Sequence, residues 1–294
     1  MAALSRGAAW VFNLDADLEL AAGDRYAPPA GVKRATEAWA SVLARTLLGP
    51  DDVVVDEETP AGSAAGRPGR AFCPTPRAIA LLHRAGAIPE PHPPSSVLRR
   101  VASRAFGASL GTTMPASAFV ADLDAAERRL ASPPPFGNGW RIKRAFGMAG
   151  RRHRLAARRA PTAADLDFVR AGLREGGVLI EPNVEIVREY ALHGRLDPSG
   201  LLAEGRLVVQ RCERSGAWIE TMPADEEDVG RVGAAIRAEL LRVGPALHEA
   251  GYFGPFGIDA FTFRGESGRV VLVPRSEINA RYTMGFAVGL SPRR

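Results

Sequence analysis

Two stretches near the end of the chain, Gly257-Ile-Asp259-Ala-Phe-Thr-Phe and Val270-Val-Leu-Val-Pro-Arg-Ser-Glu277-Ile-Asn279-Ala-Arg281, carry side chains that suit a hard cation. Side chains alternate along a strand, so Glu277 and Asn279 share a face and Ile278 points the other way. Gly265 and Gly268 mark a turn between two strands, which makes the strands an antiparallel pair and sets Asp259 across from Glu277 and Asn279. Two carboxylates and an amide oxygen fit Mg2+ shared with a polyphosphate. Arg281, again on that face, can pair with a phosphate or carboxylate oxygen. An exposed polar strand face would also explain the polarity, but not why the opposite face stays apolar up to Ile278.

Lysine is rare here. Of 38 basic residues only Lys33 and Lys143 are lysines, so a surviving lysine can mark a place where the broader arginine fork does not fit. Lys143 lies in Trp140-Arg-Ile-Lys143-Arg-Ala-Phe-Gly147-Met-Ala-Gly150-Arg151-Arg152, a strand that turns into a glycine-containing loop crowded with arginine. Backbone N–H groups of such a loop can point at anionic oxygens while the lysine supplies a compact charge. A hairpin turn with a solvated basic flank is the alternative. A third segment, Gly177-Val-Leu-Ile-Glu181-Pro-Asn-Val184-Glu185-Ile-Val-Arg-Glu189-Tyr, ends a buried strand at a carboxylate. Glu181 could accept from an exocyclic amine and Glu189 from ribose hydroxyls, although ordinary strand–turn–strand chemistry would give the same residues.

Other chemistries are excluded by pattern. A phosphate loop needs glycine directly before lysine, but Val32 precedes Lys33 and Ile142 precedes Lys143. Gly107-Ala-Ser109-Leu-Gly111 matches a nucleophile elbow, but the residues before it are polar and helical in pattern where a buried strand is required. The run from Arg151 to Arg159 lacks the interleaved aromatics that stack on bases, so no nucleic-acid partner is expected. Cys73 and Cys212 leave no disulfide framework and no zinc spacing.

The elements that would position these residues follow from the apolar pattern. The chain has 294 residues, 46% hydrophobic and 24% charged, enough for about two ordinary domains. A strand is expected over Ala8 to Leu14, a helix carrying Ala35, Trp39, Val42, Leu43 and Leu47, a short strand at 53–55, a loop over 59–69, and a helix from Thr75-Pro76 through Leu82. This alternation predicts a small α/β domain over residues 1–94. Beyond Pro94 the pattern is α+β and rich in hairpins: helices over 97–106, from Asp122 through Leu130, and from a Thr162–Asp165 capping box through Arg174. Strands are expected at 119–120, 140–145, 177–180, 186–193, 206–212, 257–263 and 270–274, with one long helix from about Glu226 to Ala250. No apolar run is long enough to span a membrane, and the pI near 9.7 is inflated by arginine standing for lysine, which adds no charge, so it reflects compositional habit more than a nucleic-acid partner. A soluble, cytoplasmic protein is the expectation.

Taken in order, the three segments resemble the ATP-grasp superfamily, which includes D-alanine–D-alanine ligase, glutathione synthetase and biotin carboxylase; the resemblance covers roughly residues 97–290. It implies an α/β plus α+β architecture: a small N-terminal pre-ATP-grasp domain (1–94), a lid subdomain (95–180) and a large, metal-binding subdomain (181–294). It further implies that Lys143 contacts the α- and β-phosphates of ATP, with Arg104 where the family has a second lysine. Gly147, Gly150 and Arg151 would form the loop over the triphosphate. Glu181 and the backbone of Val184 would hold adenine, and Glu189 the ribose. Asp259, Glu277 and Asn279 would bind Mg2+, and Arg281 would face the transferred phosphate. The implied activity is ATP-dependent, ADP-forming ligation of a small-molecule carboxylate to an amine through an acyl-phosphate. A small-molecule kinase and a non-catalytic nucleotide-binding regulator are the alternatives, and a homo-oligomer is compatible with either.

Overall fold

The computed structural model describes residues 7–147, 152–157, 160–213, 216–265 and 268–290. Gly150 and Arg151 lie outside them. The first sheet is parallel. Strand β1 (Ala9–Val11) is followed by α1 (Ala16–Ala22) and α2 (Ala30–Leu47), then β2 (Val53–Val54), β3 (Pro68–Ala71), α3 (Pro76–Arg84) and β4 (Ile88–Pro89). The strand order is β2-β1-β3-β4. The expected loop over 59–69 gives way to β3 at Pro68, which pairs with β1 and β4, and Gly69 packs closely there on Leu82 and Pro89. Thr75 does not cap α3 with its side chain. Its hydroxyl instead donates to Glu19 at 2.7 Å and accepts from Asn13 at 2.9 Å, within a buried polar cluster under the sheet.

Two short helices follow, α4 (Ser95–Ala102) and α5 (Arg104–Ser109), where one helix over 97–106 was expected. The break is at Ser103, whose extended backbone (ψ 138°) and side chain cap α5 at Ala105. Ser109 therefore ends a helix and donates back to the carbonyl of Phe106, so the GxSxG match is no nucleophile elbow.

The second sheet is antiparallel: β5 (Ala118–Val120), then α6 (Leu123–Ala131), β6 (Gly139–Arg144), β7 (His153–Ala157), α7 (Ala163–Leu173) and β8 (Val178–Pro182), in the order β5-β8-β6-β7. Asp122 caps α6, and Thr162 and Asp165 close the expected capping box of α7. Because β8 runs to Pro182, a boundary at 180/181 falls inside one strand.

The third sheet contains β9 (Ile186–Leu196), β10 (Leu202–Glu204), β11 (Val208–Cys212), β12 (Trp218–Pro223), β13 (Gly254–Arg264) and β14 (Val270–Asn279), ordered β12-β11-β9-β13-β14 with β10 on β9. Between β12 and β13 lie α8 (Glu226–Asp228), a π-helical stretch (Val229–Gly233) and α9 (Ala234–Glu249). They occupy the span expected for one long helix. One sheet face buries Tyr190, Leu192, Val209, Ile258 and Ile278 against α9 and against Leu98 and Val101 of α4. Helix α4 thus packs on this sheet and not on the second one, to which the expected lid boundary would assign it. After β14 the chain returns to the first sheet, where Tyr282 and Phe286 of α10 (Phe286–Leu290) complete a core with Trp10, Phe12 and Phe72.

Candidate active site

The face of the third sheet opposite that core carries the polar residues. Register pairs Asp259 with Glu277 across β13 and β14; it pairs Phe261 with Glu189 on β9, and Glu189 in turn with Gln210 on β11. Paired residues share a face, which is why Asp259, Glu277, Asn279, Glu189 and Gln210 all line one cavity of about 850 Å3. A bulge between Asp259 and Phe261 takes up Pro274, a residue that cannot donate to a ladder. Asn279 donates to Asp259 at 2.9 Å, and Gln210 does so at 3.1 Å. Burial, reinforced by the Glu277 carboxylate, pushes the Asp259 carboxyl up to about 6, and the two amide donors only partly offset this.

The opposite wall is the second sheet. Lys143 on β6 pairs with Glu181 on β8 at 2.6 Å, and both side chains are largely covered. Arg104, at the start of α5, bridges the two walls: it donates to the carbonyl of Arg144 at 2.7 Å and pairs with Glu277 at 2.6 Å. Gly147 makes room for that guanidinium, since a Cβ there would lie 2.8 Å from Nη1. Val184 and Glu189 line the same cavity.

Every expected site residue among those described therefore reaches one cavity: Arg104, Lys143, Gly147, Glu181, Val184, Glu189, Asp259, Glu277, Asn279 and Arg281. All three expected phosphate contacts are ion-paired here: Lys143 with Glu181, Arg104 with Glu277, and Arg281 with Asp17, which lies outside the expected set. Arg281 lines the cavity, but its guanidinium is held by both oxygens of Asp17, at 2.7 and 3.3 Å, and lies over the Phe72 ring. It is thus a neutralised wall residue here and does not stand free to clamp a phosphate. Asp17 and Gln210 escape a reading of the sequence. Asp17 has no patterned neighbour in the sequence, and Gln210 acquires meaning only from the β9–β11 register. Of the basic loop, Arg152 pairs with Glu175 and Arg154 pairs with Asp165, so its described charges are internally matched.

The donor set fits a divalent cation on chemical grounds. An acid raised first by burial and then by a neighbouring carboxylate is relieved by a shared positive charge, and the adjacent amide adds an oxygen. Among the described residues no group of three or more His, Cys, Asp or Glu side chains is arranged to hold a metal by itself. Two carboxylates fit the Mg2+ pattern in which substrate phosphates and water complete the shell. The thiol on this face, Cys212, is held far above its usual range by burial and by Glu189, which leaves it a poor nucleophile. No helix among the described residues is long and apolar enough to cross a membrane.

No family model matches this sequence, and no curated protein does. Solved structures do match. N5-carboxyaminoimidazole ribonucleotide synthetase from Thermus thermophilus is 18% identical, with a TM-score of 0.51 over 94% of this chain and 71% of its own. A biotin carboxylase–ATP complex from Campylobacter jejuni is 13% identical, with a TM-score of 0.52 over 96% of this chain and 66% of its own. An ADP complex of N5-carboxyaminoimidazole synthetase from Staphylococcus aureus is 13% identical, with a TM-score of 0.50 over 94% and 71%. The chain thus spans 66–71% of the length of these neighbours. At such identities the likeness is one of fold.

Proposed function

We propose that this chain, whose fold is that of the ATP-grasp enzymes, is an ATP- and magnesium-dependent ligase joining a carboxylate to an amine through an acyl-phosphate. The observation that carries this reading is convergence: Lys143 from one sheet and the Asp259–Glu277–Asn279 cluster from another face a single cavity large enough for a nucleotide and a second substrate. Glu181 and the backbone of Val184 would receive adenine, Glu189 the ribose, and Lys143 the phosphates. Lys143 gives up Glu181 in the exchange, and Arg104 likewise gives up Glu277. Asp259, Glu277 and Asn279 would hold Mg2+, which supplies charge neutralisation at the phosphates.

A carboxylate is a poor electrophile. Its oxygen attacks the γ-phosphorus, the bond to the β-phosphate oxygen breaks, and ADP leaves. An amine then adds to the acyl carbon, phosphate departs with the carboxyl oxygen, and the amine proton passes to solvent. The protein orients the partners and stabilises charge, so no side-chain nucleophile is needed. This agrees with a cavity whose thiol is held protonated. We further propose that three units cooperate here, roughly residues 1–94, 95–180 and 181–294, each centred on one sheet, with the end of β8, helix α4 and the α10 segment crossing these bounds.

The test is thermal unfolding with and without Mg-ATP, on wild type and on Lys143→Ala. Ligand at about a hundred times its Kd adds roughly 2.7 kcal/mol, a plain shift in melting. A magnesium-dependent rise that Lys143→Ala loses, followed by ADP release that needs both an acid and an amine, supports the ligase. A phosphorylated product that survives with all amines absent would make it a kinase. No rise in wild type overturns the nucleotide site.

A further inference from the structure

The cavity continues past its charged residues. On the side of the first sheet its wall is made by Leu14, Trp39 and Phe72, and by Met284, which follows Arg281. Trp218 of β12 extends it: Trp218 donates to Thr221 at 2.8 Å, and a Cβ on Gly285 would meet Thr221 at 2.9 Å, so the hairpin and the Met284 segment are in contact. Leu14 and Phe72 are buried, whereas Trp39, Met284 and Trp218 are each half-covered and present apolar surface to the cavity. The wall begins directly after Asn279, beside the carboxylate cluster.

Its charge is as informative as its apolarity. Arg281, the cation of this wall, is bound by both oxygens of Asp17 and lies over Phe72. Arg211 and Arg188, which also line the cavity, pair with Glu220 and Asp228. A phosphate or a second carboxylate placed here would meet no unpaired cation of this wall among the described residues, and displacing Asp17 would strand a nearly buried acid. A flat apolar group, by contrast, meets the half-covered indoles of Trp39 and Trp218 and the thioether of Met284, surfaces that favour ring stacking and sulfur–aromatic contact.

We propose that this wall is the subsite for the acid substrate, and that the acid carries an apolar, ring-sized group and no second anionic group. That the bound molecule is an acid rests on the ligase reading; the apolar preference of the wall does not.

The experiment compares propionate, 3-phenylpropionate and succinate, which differ only in hydrogen, phenyl or carboxylate at one carbon. Dissociation constants are measured by calorimetry and ligand-observed NMR on the full chain without nucleotide. Burying a phenyl ring predicts that 3-phenylpropionate binds roughly tenfold or more tighter than propionate, with succinate no tighter than propionate. Trp39→Ala and Trp218→Ala should each lose most of that preference, and Trp39→Phe should keep most of it. Equal binding of the three acids, tightest binding of succinate, or alanine variants that fold and keep the full preference would each overturn the proposal. If the alanine variants fail to fold, the wild-type series still decides it. A wild type that shows the phenyl preference but no Mg-ATP melting shift would remove the ligase reading and leave the apolar subsite standing.

Discussion

Arg281 and Asp17 stand 264 positions apart and meet with side chains only 15% and 10% exposed. Breaking a nearly buried pair by deleting one partner leaves an uncompensated charge, so Asp17→Ala should cost about 3 kcal/mol in urea unfolding. A loss below about 1 kcal/mol would mean that solvent reaches the guanidinium. This contact is invisible in the sequence because nothing local links the two residues. The shared face of Asp259, Glu277 and Asn279 is legible from one hairpin and the alternation of a strand, whereas the direct pairing of Asp259 with Glu277 comes from the bulge that takes up Pro274. His193 gives no signal in the sequence at all. It is fully buried on β9, shares a 2.7 Å hydrogen bond with Thr283, and stands edge-on to Phe286. Burial lowers its pKa from 6.5 to about 4. Unfolding therefore binds a proton between those values, and the stability this group contributes is complete above pH 6.5 and falls as pH drops toward 4. Between about pH 7 and pH 5 the loss should be about 2 kcal/mol, read as the difference in the pH dependence of urea unfolding between wild type and His193→Gln. Equal pH slopes would show that the imidazole is hydrated.

At the scale of elements, strand β6 must hold its register for Lys143 to meet Glu181, and Gly139 secures this at its first residue. Its φ is +147°, and a Cβ there would lie 2.3 Å from the backbone oxygen of Ala156 on β7. Gly139→Ala should push β6 from β7, destabilise the second sheet by about 2 kcal/mol and weaken Mg-ATP binding; an unchanged melting temperature would show that the strand shifts freely. The Thr162–Asp165 box and the Asp122 cap are readable because capping is a relation among four consecutive residues. The split at Ser103 and the strand at Pro68 are not readable, since both answer to distant neighbours: Arg104 donating to the carbonyl of Arg144, and β3 pairing with β1 and β4.

At the scale of the molecule, strand–helix alternation announces the parallel first sheet, and hairpin spacing announces the antiparallel ones. What that pattern cannot convey is that the segment after β14 crosses back. Tyr282 packs edge-on against Trp10 at 5.2 Å and against Phe286 at 4.8 Å, and its amide donates to the carbonyl of Phe72. Phe286→Ala should therefore cost about 3 kcal/mol and loosen the first sheet although its own sequence is untouched. Hydrogen exchange would locate the effect: faster exchange at Trp10 and Phe12 is expected, and exchange confined to α10 would contradict it. The crossing also sets a timetable for synthesis. Ribosomes deliver β1 well before Phe286, so a strand made early belongs to a core that closes only after β14 has been made. Until then Trp10, Phe12 and Phe72 lack the cover of Tyr282 and Phe286, and a nascent chain stalled before Tyr282 should be a chaperone client in a way that a stall after Leu290 is not.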